Sequence, residues 1–193
     1  MTAEARRILI EAAQELYAAN GVAATTPREV LARSGVGQGS LYHHFPSKRD
    51  LAAAAVAQTV DDTLGSAAAT LDGADEPERR IADYLERPRA ATAGCRVGRL
   101  TADPVVMGDE TLRGEVSRYF AELIELVARA FTEQGLDAAA ARDRATTAVA
   151  VIQGGYVLSR ALGDDAAMRA AVRGLLELLE PAPTGPDERS RHE

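Results

Sequence analysis

The sequence predicts an all-α fold, built as a short three-helix N-terminal unit followed by a larger helical part. Three observations carry that prediction. Alanine dominates a 193-residue chain in which 46% of residues are hydrophobic, enough for a sizeable core. Apolar residues recur at helical spacing through most of the chain. Runs of β-branched residues flanked by turn signals, the mark of strands, are scarce.

The elements follow in order. From Ala3 to Asn20 the residues Ile8, Leu9, Ala12, Ala13, Leu16 and Tyr17 form one apolar stripe, and Gly21 stops the helix. In "ATTPREVLARSG", Thr26 caps, Pro27 suits the first helical position and Glu29 completes a capping box, so a short helix runs to Gly35. A second short helix runs from about Gln38 to Phe45, ended by Pro46. Ser47 with Asp50 repeats the capping arrangement and opens a longer helix. Beyond it, helices are expected near 48–70, 76–92, 109–134, 137–163 and 165–180. The interval 93–108 contains Gly94, Gly98, Pro104 and Gly108 and reads as a broken helix. The domain division expected is 1–47, 48–180, and a Pro-rich polar tail over 181–193 that reads as disordered.

A single cysteine excludes an intrachain disulfide and fits a reducing, cytoplasmic setting. No apolar run approaches the length of a membrane span, and the N-terminus lacks a signal-peptide layout. The net charge of −7 conceals an uneven distribution. Between Thr26 and Arg49 there are four basic residues and one acid, which suits a protein that touches a polyanion with one end.

The stretch "SGVGQGSLYHHFPSK" decides what that end is. Its alternating glycines follow a helix rather than a strand and are spaced G-x-G-x-G, so they do not form a dinucleotide-binding loop. His43 and His44 are neighbours on a helix, about 100° apart, and so are badly placed to chelate one metal ion. No metal or cofactor is expected. Two helices joined by a short glycine-containing turn do match a helix-turn-helix. On a helical wheel Leu41 and Phe45 fall together and bury. The opposite arc holds Gly39, Ser40 and His43, flanked by Gln38, Tyr42 and His44. Glutamine reads adenine edges, serine reads several bases, and glycine permits close approach of the backbone. Tyr42, Lys48 and Thr26 suit phosphates, and Arg28 suits a guanine or a phosphate.

"GVAATTPREVLARSGVGQGSLYHHFPSKRDL" resembles the DNA-binding domain of TetR/AcrR-type transcriptional regulators over about residues 6–55. The resemblance implies an all-α protein with a three-helix N-terminal helix-turn-helix DNA-binding domain followed by a larger helical ligand-binding and dimerisation domain. It implies Thr26, Tyr42 and Lys48 at phosphates, with Arg28, Gln38, Gly39, Ser40, His43 and His44 at or near bases. Two departures stand out: Gly37 occupies a position usually held by a capping residue, and Leu31 replaces a small alanine. The partners it implies are double-stranded operator DNA, a second copy of the chain and a small-molecule effector, most often acting on a repressor.

In the last two long helices, Ala148, Ile152, Gly155, Ser159 and Leu162 form one stripe. Met168, Ala171, Val172, Leu175 and Leu179 form another. Both are expected at a dimer interface, as a four-helix bundle, although either stripe also suits a core. The expected walls of an effector cavity are Tyr84, Cys95, Leu100, Met107, Tyr119, Phe120, Leu123, Gln153 and Tyr156, a lining for a largely hydrophobic molecule. The segment around Cys95 resembles a TetR subgroup with Gly-Cys here, some members of which respond to drug-like or reactive compounds. Arg96 and Arg99 would lower the thiol pKa if they point toward it. The rival readings are a helical ligand-binding protein whose head has lost DNA binding, an activator without ligand-released repression, and an enzyme on a helical scaffold, for which the chain offers three histidines and no G-x-S-x-G.

Overall fold

The computed structural model describes residues 3–179, so the expected disordered tail over 181–193 lies outside the described residues. The helices are α1 (Ala3–Asn20), α2 (Pro27–Ser34), α3 (Gln38–His44), α4 (Lys48–Leu71), α5 (Pro77–Glu86), α6 (Pro104–Gly108), α7 (Glu110–Glu133), α8 (Ala138–Leu162) and α9 (Ala166–Leu179). Three-residue and five-residue 3₁₀ turns at Ala91–Ala93 and Gly98–Ala102 fill the gap between α5 and α6. No strand occurs among the described residues, and no helix there is long and apolar enough to cross a membrane.

Local chemistry sets the short helices of the head. Thr26 Oγ1 accepts from the Glu29 amide at 3.3 Å, while Glu29 Oε2 accepts from the Thr26 amide at 2.7 Å, which is a reciprocal capping box. Gly35 closes α2 in the left-handed conformation. Gly37 precedes α3 with no side-chain cap, as its lack of a side chain requires. Ser47 Oγ accepts from the Asp50 amide at 3.2 Å and opens α4. Leu9, Val22, Val30, Leu41 and Phe45 are buried in the core that holds these helices together.

In the larger part α7 packs against α4 and α8, and α8 against α9. α1 lies against both α2 and α4, so it belongs to the head and also touches the body. Gln14 fixes this seam: its Nε2 donates to Thr59 Oγ1 at 3.2 Å and to Asp62 Oδ2 at 3.1 Å. At the far end of the body the buried Arg80 joins three elements, donating to the Leu71 carbonyl at 2.6 Å and to Glu133.

Two expectations need correction here. The helix expected over 76–92 ends at Glu86, because Pro88 disfavours helical backbone at Arg87, which sits at φ −49°, ψ 140°. The stripes assigned to a dimer interface face inward instead. Ala148, Ile152, Gly155, Ser159, Met168, Val172 and Leu175 are all buried within one protomer, while Ala171 and Leu179 are half-buried. α8 meets α9 along this line: the Met168 amide donates to Ser159 Oγ at 3.1 Å, and a methyl group on Gly155 would lie 2.6 Å from Met168 Sδ. Leu162 departs from the rest and is 71% exposed.

Candidate DNA-reading face and ligand cavities

α3 buries Leu41 and leaves Gln38, Gly39, Tyr42 and His43 exposed, with Ser40 half-buried beside them. Phe45, at the end of the helix, is buried under the Arg6 guanidinium, 5.4 Å above its ring. The polar arc thus stands outward on a fixed apolar base. His44 differs from its neighbours: it is half-buried, and Nε2 is enclosed without a hydrogen-bond partner, so that nitrogen is not presented on the outward arc. A contact through His44 is therefore confined to the rest of its ring.

Around α3 the cationic and hydroxyl groups are placed as follows. Arg28 is exposed in the first turn of α2. Thr26 is exposed, with its hydroxyl donating to Glu29 Oε2 at 2.8 Å. That cap, with the Lys48 charge as a lesser cause, holds the Glu29 carboxyl below its usual range. Lys48 Nζ donates to the Ala23 carbonyl at 3.2 Å, so the ammonium lies beside the loop that precedes α2.

Two cavities lie where the body meets α1. One, of about 490 Å³, is lined by Glu15, Ala18 and Ala19 of α1 and by Tyr84, Arg87, Arg89, Cys95, Tyr119 and Tyr156 among others. The second, of about 620 Å³, is lined by Tyr17 and Asn20 of α1, by Gly21 just after it, and by Cys95, Arg99, Leu100, Asp103, Phe120, Gln153, Tyr156 and Arg160 among others. They share Gly94, Cys95 and Tyr156 as a common wall. Of the expected wall residues, Tyr84, Cys95, Leu100, Tyr119, Phe120, Gln153 and Tyr156 line one cavity or both. Met107 does not: it is 37% exposed on the one-turn helix α6. Leu123 does not either, being packed into the core of α7.

The phenols here stay protonated. Burial pushes Tyr119 and Tyr156 up, and the nearby Cys95 adds to the effect. Burial raises Tyr84 as well, against the opposing pull of Arg87 and Arg89 stacked on its ring. Neutral tyrosines at a cavity wall can donate as well as accept hydrogen bonds. Cys95 is buried, with the Gly98 amide 3.2 Å, Gln153 Nε2 3.6 Å and Tyr119 OH 3.9 Å from its sulfur. Arg99 does not point at it; the guanidinium instead donates to the carbonyls of Ala18 and Ala19, capping the end of α1.

Sequence reasoning missed Asp103. Its Oδ2 accepts from the amides of Val22 at 2.7 Å and Ala23 at 2.9 Å. Its Oδ1 accepts from Val105 at 2.9 Å and Val106 at 3.2 Å, capping α6. Burial alone would raise its pKa, but the four amide donors outweigh burial and hold the carboxyl below the usual carboxylate range. Gly21 permits this approach, since a methyl group there would lie 2.9 Å from Asp103 Oδ2. An aspartate before Pro104 signals a helix cap, but nothing local signals its second pair of partners eighty residues away.

Comparison with known proteins fits this geometry. Residues 9–55 match the bacterial regulatory proteins of the tetR family, and residues 78–173 match the C-terminal domain of LmrA/YxaF-like transcriptional regulators. The HTH-type transcriptional regulator LmrA of Bacillus subtilis is 26% identical over 163 residues, covering 81% of this chain and 86% of LmrA. The HTH-type transcriptional repressor Rv3405c of Mycobacterium tuberculosis is 32% identical over 124 residues, 64% of this chain and 57% of that protein. The crystal structure of E. coli NemR in its reduced form superposes with a TM-score of 0.79 at 18% identity, covering 89% of this chain and 95% of that one. An N-terminal helix-turn-helix whose polar arc stands on a buried base, joined to a helical body of the LmrA/YxaF type, places the chain in the TetR family of DNA-binding transcriptional regulators.

Proposed function

We propose that the chain is a homodimeric repressor that leaves its operator when a small, largely hydrophobic molecule occupies the cavities beside α1. The observation that carries the reading is the exposed arc of α3, polar over most of its length and seated on buried Leu41 and Phe45. In this reading α3 enters the major groove. Gln38, Ser40 and His43 meet base edges there, and Gly39 lets the backbone come close. Thr26, Tyr42 and Lys48 hold phosphates, and Arg28 reaches a base or phosphate from α2.

One such head spans few base pairs, so operator choice needs two, held about 34–36 Å apart to meet successive major grooves. The outward faces of α8 and α9 supply the dimer surface: Leu158, Leu162 and Leu178 are all exposed there. Large apolar side chains left exposed on helices of the body are what a partner copy covers. The effector acts by favouring a head spacing that no longer fits the two grooves.

The test is a mobility-shift assay against DNA from upstream of the protein's own gene, beside random duplex. Gln38→Ala should weaken operator binding by roughly tenfold while leaving random duplex unchanged. Lys48→Ala should weaken both alike and lower the salt slope by about 1. Equal losses on both duplexes for Gln38→Ala would remove the base-reading role, and failure of the unaltered protein to shift any duplex at low salt would remove the whole reading.

A further inference from the structure

We infer that Arg99 and Arg160 form an anion subsite in the larger cavity, so that the effector is an organic acid: an apolar body carrying a carboxylate, sulfonate or similar group. The inference deepens the effector reading and rests on it. Both arginines line the cavity that runs from the end of α1 to α8. They lie against one point of backbone: a methyl group built on Gly94 would sit 3.0 Å from Arg99 Cδ and 3.5 Å from Arg160 Nη1. Two like charges so placed disfavour each other. Burial first, and then the Arg160 charge, holds the Arg99 guanidinium below its usual pKa.

No carboxylate among the described residues pairs with either arginine. Their acceptors are neutral backbone carbonyls: Ala18 and Ala19 for Arg99, and Ala93, at 3.3 Å, for Arg160. The carboxylate that shares the cavity wall, Asp103, is already bonded to four backbone amides. An acid brings a full negative charge that a backbone carbonyl lacks, and its paired oxygens match the parallel N–H donors of a guanidinium. An acid entering the cavity therefore competes well for both side chains. Its apolar remainder has Leu100, Phe120 and Val157 to lie against. Because Arg99 caps the last carbonyls of α1, engagement by an acid also withdraws a cap from the helix that carries the DNA head.

A matched pair of fluorescent probes tests this. 1-Anilinonaphthalene-8-sulfonate and N-phenyl-1-naphthylamine share an aromatic body and differ in the sulfonate. Titrated into the full chain, the sulfonate should bind the wild type roughly tenfold or more tighter than the neutral amine. Arg160→Gln should remove most of that preference and leave the neutral probe's affinity unchanged. Arg99→Gln should do the same, with far-UV circular dichroism reporting whether the loss of the α1 cap has cost helix. Arg160 makes only the one backbone contact, so its variant keeps the test sound if the Arg99 variant unfolds. Equal affinities for the two probes, or a preference that survives both substitutions, would overturn the subsite. A parallel mobility shift separates this from the repressor reading. Sulfonate-selective binding that depends on Arg160 but leaves operator DNA bound would keep the subsite and sink effector release.

Discussion

Asp103→Ala should unfold the seam between head and body at a cost that can be worked from its four hydrogen bonds. The amides of Val22 and Val106 are buried, whereas those of Ala23 and Val105 are partly open to water. Water can replace the carboxylate at the two open amides for little cost. The two enclosed amides lose their only acceptor, at about 1–3 kcal/mol each. The sum is about 4 kcal/mol, and for a chain of this length it corresponds to a fall in Tm of roughly 10 °C. Differential scanning calorimetry at neutral pH measures it. A loss under about 1 kcal/mol would show that water enters the seam and that the carboxylate is dispensable there. The pH dependence carries the same sign. The folded pKa of Asp103 is depressed, so its stabilisation is fully present above the unfolded value of about 4 and is lost as pH falls through the folded value. The alanine variant should therefore lose part of the wild type's acid sensitivity below about pH 4. Asp103→Asn, which keeps one acceptor oxygen, should fall between the two.

Two further outcomes concern the last helices. Leu158→Glu with Leu162→Glu places charges on the outward face of α8, where both side chains are exposed, and should turn dimers into monomers in sedimentation experiments without changing the helical signal. A persistent dimer would move the interface elsewhere. Gly155→Ala drives a methyl group into Met168 at the crossing of α8 and α9, and should cost about 1–3 kcal/mol in urea unfolding; a neutral result would mean that Met168 swings away freely.

The head was legible in the sequence because its signals are local. Thr26 with Glu29, Pro27, Gly35, Pro46 and Ser47 with Asp50 each act within four residues, and each appears in the structure at that position. The i, i+4 pairing of Leu41 and Phe45 likewise fixed which side of α3 is buried. The stripe on α8 was read with the right phase but the wrong destination. Ala148, Ile152, Gly155 and Ser159 are the buried line of that helix, and an apolar period looks the same whether its partner is α9 or a second chain. What marks the outer face is exposure: Leu158 lies off that line, and Leu162, on it by spacing, is exposed as the last residue of α8. The cavities were half legible. Tyrosines, Cys95 and Gln153 were found as polar or aromatic residues in an apolar context, while Leu123 and Met107 show that apolarity alone does not separate wall, core and surface. Arg160 was not found, and Arg99 was read only beside Cys95, because their partners are the backbone carbonyls of Ala93, Ala18 and Ala19, which carry no residue identity.

In the proposed reading, the position of α1 is what couples a cavity in the body to the DNA-reading head. This one helix packs under α2 and α3 and also forms a wall of both cavities through Glu15, Tyr17, Ala18, Ala19 and Asn20. Its middle is held to α4 by the bonds from Gln14 to Thr59 and Asp62. An 18-residue helix about 27 Å long behaves as a rod, so displacing one end while the middle is held tilts the other. Arg99 and Asp103 hold the C-terminal end of α1 and the turn after it through the Ala18 and Ala19 carbonyls and the Val22 and Ala23 amides, and both residues line the larger cavity. A ligand that changes those bonds shifts the head only by its differential affinity for the two placements of α1, and operator DNA must then oppose ligand binding by the same factor.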